Sequence, residues 1–128
     1  MTRARLVLVL LSAFAHHTMA QEPAPPHMDK ALFQEIEQGN DAQVKGLLLV
    51  HLRGVLNGLE AANMALLRRG EAPLFCPPPD QVLTPEWLRI SLSDYLRRFP
   101  AIPPNISIAV VATFALEDSF ACEQPTGF

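Results

Sequence analysis

The sequence predicts an all-α fold: a compact bundle of four to five helices closed by one disulfide. Three observations carry this. Apolar residues recur at spacings of three and four through 30–70 and again through 85–99. Residues able to cap a helix stand before each helical stretch, at Asp29, Asp41, Thr84 and Asn105. The two cysteines, Cys76 and Cys122, lie in or beside the segments between and after the helices.

The chain of 128 residues suits a single domain, and 49% hydrophobic with 18% charged residues is a globular balance. Aromatics are few, so the core is expected to be mainly Leu, Val, Ile and Ala. The 12 prolines cluster at 23–26, 73–79 and 100–104, where they punctuate the elements.

Residues 1–20 read as a cleavable signal peptide. Arg3 and Arg5 form a positive start, Leu6 to Ala15 is an apolar run, and Thr18-Met19-Ala20 offers the small residues a signal peptidase reads. The run is shorter than the roughly 20 apolar residues a membrane span needs. Export to the periplasm is therefore expected, with no membrane attachment after cleavage. Losing Arg3 and Arg5 from the ten basic residues leaves eight against 13 acidic ones, a net charge of −5. That balance argues against nucleic acid and anionic membrane surfaces as partners. The domain plan is a leader at 1–20, a flexible lead at 21–28, a helical domain at 29–123 and a tail at 124–128.

Asp29 can cap a first helix of about Lys30 to Gln38, with Ala31, Leu32, Phe33 and Ile36 on its apolar side. Gly39-Asn40 suits a left-handed helix end. Asp41 can cap a second, longest helix ending at Gly70. Val44, Leu47, Leu48, Leu52, Val55, Leu56, Leu59, Leu66 and Leu67 give it one wide apolar stripe. Gly54 and Gly58 cost this helix about 1 kcal/mol each relative to Ala, so a closely crossing neighbour is expected there.

Thr84-Pro85-Glu86 is a helix start: a capping hydroxyl, a proline in the first turn and an acid near the positive helix end. The third helix should run from Pro85 to about Phe99, with Leu88, Leu92, Tyr95, Leu96 and Phe99 inward and Arg89, Asp94, Arg97 and Arg98 toward water. Asn105 should start the last helix, which runs to about Phe120. It is apolar on most of its surface, so it is expected at the centre of the bundle. Its β-branched run equally suits a strand, but no partner strand is present in the pattern.

Two cysteines in an exported chain suggest a Cys76–Cys122 disulfide, with two free thiols as the alternative. Closing a loop of this length stabilises by roughly 4 kcal/mol from chain entropy. No catalytic constellation is legible. The chain has no HExxH, CxxC, glycine-rich phosphate loop or nucleophile elbow. After cleavage its histidines are His27, in the lead, and His51, expected to pack beside the apolar stripe. Glu35/Glu37 and Glu117/Asp118 lack the spacing that places two acids on one helical face, which reads as solvated surface. No cofactor or metal is implied, and the expected function is binding without catalysis.

Part of the chain resembles a known family. His51-Leu52-Arg53-Gly54-Val55 on a helix is followed by Phe75-Cys76-Pro77 in a loop, a Leu83-Thr84 helix start, Asp94-Tyr95-Leu96, a proline turn and Ala115 to Cys122. Over about residues 44–123 this order resembles the Rap/Tai family of type VI secretion immunity proteins. The resemblance implies a small periplasmic helical domain that binds and blocks a secreted peptidoglycan amidase. Cys76 and Cys122 match cysteines commonly bridged in that family. Members often carry a second pair joining the first helix to the start of the long one. Here Leu48 stands near one expected position and the first helix has no cysteine.

An inhibitor of a cleft needs a stiff protruding element, because rigidity lowers the entropy cost of binding. The Pro77–Thr84 loop is the candidate, with Asp80 and Gln81 as its polar tip and Thr84 at its base. The Pro100–Asn105 turn beside Arg97 and Arg98 is the competing surface. The alternative function is a periplasmic structural or stress-protective helical protein with no toxin partner. The oligomeric state stays open, a homodimer included.

Overall fold

The computed structural model describes residues 27–123, so the leader, most of the lead and the tail lie outside the described residues. Four helices form in order: α1 Lys30–Gln38, α2 Ala42–Arg68, α3 Pro85–Arg98 and α4 Ile108–Ser119. Among the described residues there is no strand, only an isolated bridge between Asp29 and Ser107. α2 packs along α3, α4 lies against α3, and α1 closes on α2 and α4.

Capping fixes where the helices begin. Asp29 accepts from the Leu32 amide, Asp41 from those of Gln43 and Val44, and Thr84 from that of Trp87. Each bond satisfies an amide that has no partner within its helix. α4 starts later than expected. Ser107, not Asn105, is its cap, accepting from the Ala109 amide. The reason is long-range: Met28 O accepts from the Ile108 amide (2.8 Å), and Pro104 O and Ile106 O accept from the Ala31 and Lys30 amides. The backbone before Ser107 is thus committed to the start of α1. The same contacts remove Met28 from the flexible lead, since it also packs against the core.

The C-terminal end of α1 also differs from the pattern, whereas α2 closes at Gly70 as expected. Gly39 keeps an extended backbone with φ −74°. Gly70 takes the left-handed form at φ 73°, and the Gly70 and Glu71 amides donate back to Leu67 O and Leu66 O. This doubled closure ends the long helix where a side chain would be strained.

The core is mostly leucine, as composition implied. Leu48, Leu52 and Leu56 of α2 meet Leu88, Leu92 and Leu96 of α3, with Phe33 and Phe75 as the large aromatic fillers. The α2 stripe is narrower than expected. Leu47 is 63% exposed, Leu67 53%, and Val44 is also exposed, because the bundle covers only one side of this helix. Gly54 and Gly58 lie on the uncovered side, and a Cβ added at either meets nothing within 4 Å. The expected close helix crossing is therefore absent among the described residues. His51 is exposed and not a packing residue. Of the α1 apolar set, Phe33 is buried and Ile36 half-buried, while Ala31 and Leu32 face outward.

α4 forms one wall of the bundle and not its axis. Ile108, Val111, Ala112, Ala115 and Leu116 are buried, but Val110 and Phe114 are exposed. In α3, Tyr95 is half-buried and Phe99 is exposed at the helix end, where the two rings meet at a tilt with centroids 4.6 Å apart.

Two polar contacts, one buried and one half-buried, were not legible from spacing. Lys30 is 8% exposed, and its Nζ donates to Pro100 O (3.1 Å) and Ile102 O (2.5 Å). Arg89, expected in water, is half-buried and donates to Glu37 Oε2 at 2.7 Å, tying α3 to α1. Glu37 was expected on the solvated surface, but α1 turns it toward α3, where Ser93 also donates to it.

Candidate protein-binding site

The segment between α2 and α3 is irregular because its sequence cannot continue either helix. Pro73 and Pro77 to Pro79 fix backbone angles and remove amide donors. Several tethers hold it. Cys76 and Cys122 form a disulfide with Cα atoms 4.9 Å apart, as expected. The Cys76 amide donates to Phe120 O at 2.7 Å. Asn63 of α2 donates through Nδ2 to Phe75 O (2.7 Å) and accepts at Oδ1 from the Leu74 amide (2.8 Å). Phe75 and Leu83 are buried in the core, pinning the loop on both sides of its prolines.

Between those anchors Pro78 to Val82 are exposed. Gln81 N donates to Pro78 O (2.9 Å), closing a turn at the tip. Asp80, Gln81 and Val82 are exposed, Val82 by 74%. Thr84 is half-buried and its hydroxyl is occupied as the α3 cap, so it sets the loop's exit. Beside the loop runs a mainly apolar groove of about 500 Å³, floored by Phe75 and Leu83 and walled by Met64, Leu67 and Gln81. Sequence spacing did not reveal this groove. Its walls come from α2 and from a loop whose path the disulfide and Asn63 decide.

Arg97 and Arg98 lie at the other end of α3, about 20 Å from Thr84 by helix rise. Neither forms a hydrogen bond or ion pair with Asp80, Gln81 or Thr84 among the described residues. Arg97 pairs with Asp94, and Arg98 pairs with Asp94 and with Asp118 of α4 at 2.7 Å. The hydrogen bond to Asp118 pushes the Arg98 guanidinium further above its usual range. Arg98 also lies over the Tyr95 and Phe99 rings. The Pro100–Asn105 turn spends carbonyls of Pro100, Ile102 and Pro104 on Lys30 and Ala31. Both features are thus partly engaged in holding the fold.

Among the described residues, no group of three His, Cys, Asp or Glu side chains is placed to hold a metal ion. No helix among them is long and apolar enough to cross a membrane. Comparisons with protein-family models, curated proteins and solved structures find no match to this chain.

Proposed function

We propose that the chain is a periplasmic immunity protein of the Rap/Tai kind, which binds a secreted peptidoglycan amidase and blocks its active-site cleft. The observation that supports this reading is the tethered loop: an exposed proline turn anchored at Cys76, Asn63, Phe75 and Leu83, with an apolar groove alongside. A preorganised protrusion loses little entropy on binding, and the groove offers apolar area for an anchor side chain from the enzyme. Asp80 and Gln81 at the tip supply a carboxylate and an amide for hydrogen-bonding groups in a cleft.

The test is inhibition of purified type VI-secreted peptidoglycan amidases by the purified chain. One of them should be inhibited, and Asp80→Lys should weaken the binding at least tenfold, about 1.4 kcal/mol, with the melting temperature unchanged. If Asp80→Lys binds normally while Arg97→Glu does not, the contact lies at the far end of α3. If no amidase is bound and the chain instead keeps unfolded clients in solution at low pH, the stress-protective reading replaces this one.

A further inference from the structure

We infer that the groove between α2 and the proline loop holds a partner segment in which a large apolar side chain stands next to an arginine or lysine. On the reading above, on which this inference rests, the segment belongs to the amidase. Glu60, Asn63, Met64 and Leu67 share one face of α2 by their spacing and form one wall. Pro73, Cys76, Pro77 and Gln81 face them, over the floor of Phe75 and Leu83. The floor is buried in the core and the disulfide ties the facing wall to Cys122, so the groove is formed before anything enters it. Met64 is 60% exposed and Leu67 53%, which leaves apolar side chains uncovered along its length. A volume of about 500 Å³ lies in the ordinary range of ligand pockets and takes a large side chain with its neighbour.

The polar groups of the groove select the charge of its occupant. Pro73 and Pro77 have no amide proton to offer. The amides of Cys76 and Gln81 donate to Phe120 O and Pro78 O. Among the side chains, Asn63 Nδ2 donates to Phe75 O and Gln81 Nε2 to Val82 O. The walls are therefore poor in available donors. Among the described residues the charged side chain lining the groove is Glu60, which is exposed and forms no ion pair with any of them. Asp80, next to Gln81, is likewise exposed and in no ion pair among the described residues. An ionised carboxylate only accepts, so a cation supplies what this rim lacks. Arginine and lysine also fit the apolar wall, because their stems lie along it while their charged heads stay in water. An acidic segment would meet two like charges and few donors.

Amide chemical-shift titration of the purified, oxidised chain with two end-blocked hexapeptides, Gly-Ser-Phe-Arg-Ser-Gly and Gly-Ser-Phe-Glu-Ser-Gly, tests this without the enzyme. The arginine peptide should move the amides of Met64, Phe75 and Gln81 and bind at least about fivefold more tightly than the glutamate peptide. Glu60→Lys should remove that preference. Leu67→Ser should weaken both peptides, and both variants should keep the circular dichroism spectrum because both positions are exposed. Equal binding of the two peptides, binding of neither, shifts confined to other residues, or a preference indifferent to Glu60→Lys would each overturn the inference. Against an inhibited amidase, Glu60→Lys should weaken binding at least about fivefold. Peptides ranked as expected with no amidase bound would keep the groove's chemistry and remove the proposed enzyme. An amidase whose binding is weakened by Asp80→Lys but not by Glu60→Lys would keep the enzyme and overturn the role of the groove.

Discussion

Asn63 holds the loop at Phe75 by its side-chain amide, donating to the Phe75 carbonyl and accepting from the neighbouring Leu74 amide. One residue of a regular helix thereby fixes both backbone groups of an irregular segment. Asn63→Ala should cost about 2 kcal/mol, because two partly buried backbone groups lose their partners. Asn63→Asp keeps the acceptor and should fall between. Chemical denaturation of the three proteins checks the order, and equal midpoints would show that the loop is held without Asn63.

The disulfide closes a separation of 46 residues. Its loss should lower stability by up to ~4 kcal/mol through the entropy of the unfolded chain. Cys76→Ala/Cys122→Ala, compared with the oxidised protein in urea, measures this. The effect should be destabilisation with the helical circular dichroism spectrum retained, since no helix depends on the bridge for its caps.

Lys30→Met keeps the apolar stem but removes the ammonium that donates to Pro100 O and Ile102 O. The loss should be about 1–3 kcal/mol. Amide exchange should also quicken at Ile106 and Ile108, near the point where the starts of α1 and α4 are joined. Unchanged protection there would mean that the backbone bonds alone hold the junction.

The Glu37–Arg89 pair is half-buried, and Glu37 Oε1 is buried with no hydrogen-bond partner among the described residues. Arg89→Met leaves a carboxylate without its countercharge and should destabilise more than Glu37→Leu/Arg89→Met together. A double-mutant cycle in urea gives the coupling. A double variant less stable than Arg89→Met alone would contradict it.

Gly58→Ala should stabilise the monomer by about 1 kcal/mol, since the site is helical, exposed and open. The thermal midpoint at low protein concentration is the measurement. A fall in that midpoint would place a neighbour where none is found among the described residues.

What the sequence determined by itself is local. Asp29, Asp41 and Thr84 cap the helices they precede, and the range Lys30–Gln38 is legible residue for residue. Capping is an interaction over two or three positions, so the sequence contains both partners. The disulfide was legible for a different reason: with two cysteines there is only one pairing. What only the tertiary structure decided is which side of α2 is covered. Apolar residues surround much of that helix between Val44 and Leu67, so periodicity could not separate the covered Leu48 from the open Leu47. Ser107 replaced Asn105 as a cap because Met28, Lys30 and Ala31 claim the backbone around it. Lys30 with Ile102, Glu37 with Arg89 and Asn63 with Phe75 likewise pair groups that only packing brings together. Such contacts leave no spacing signal, because their geometry is set by how helices cross and not by the order of residues along any one of them.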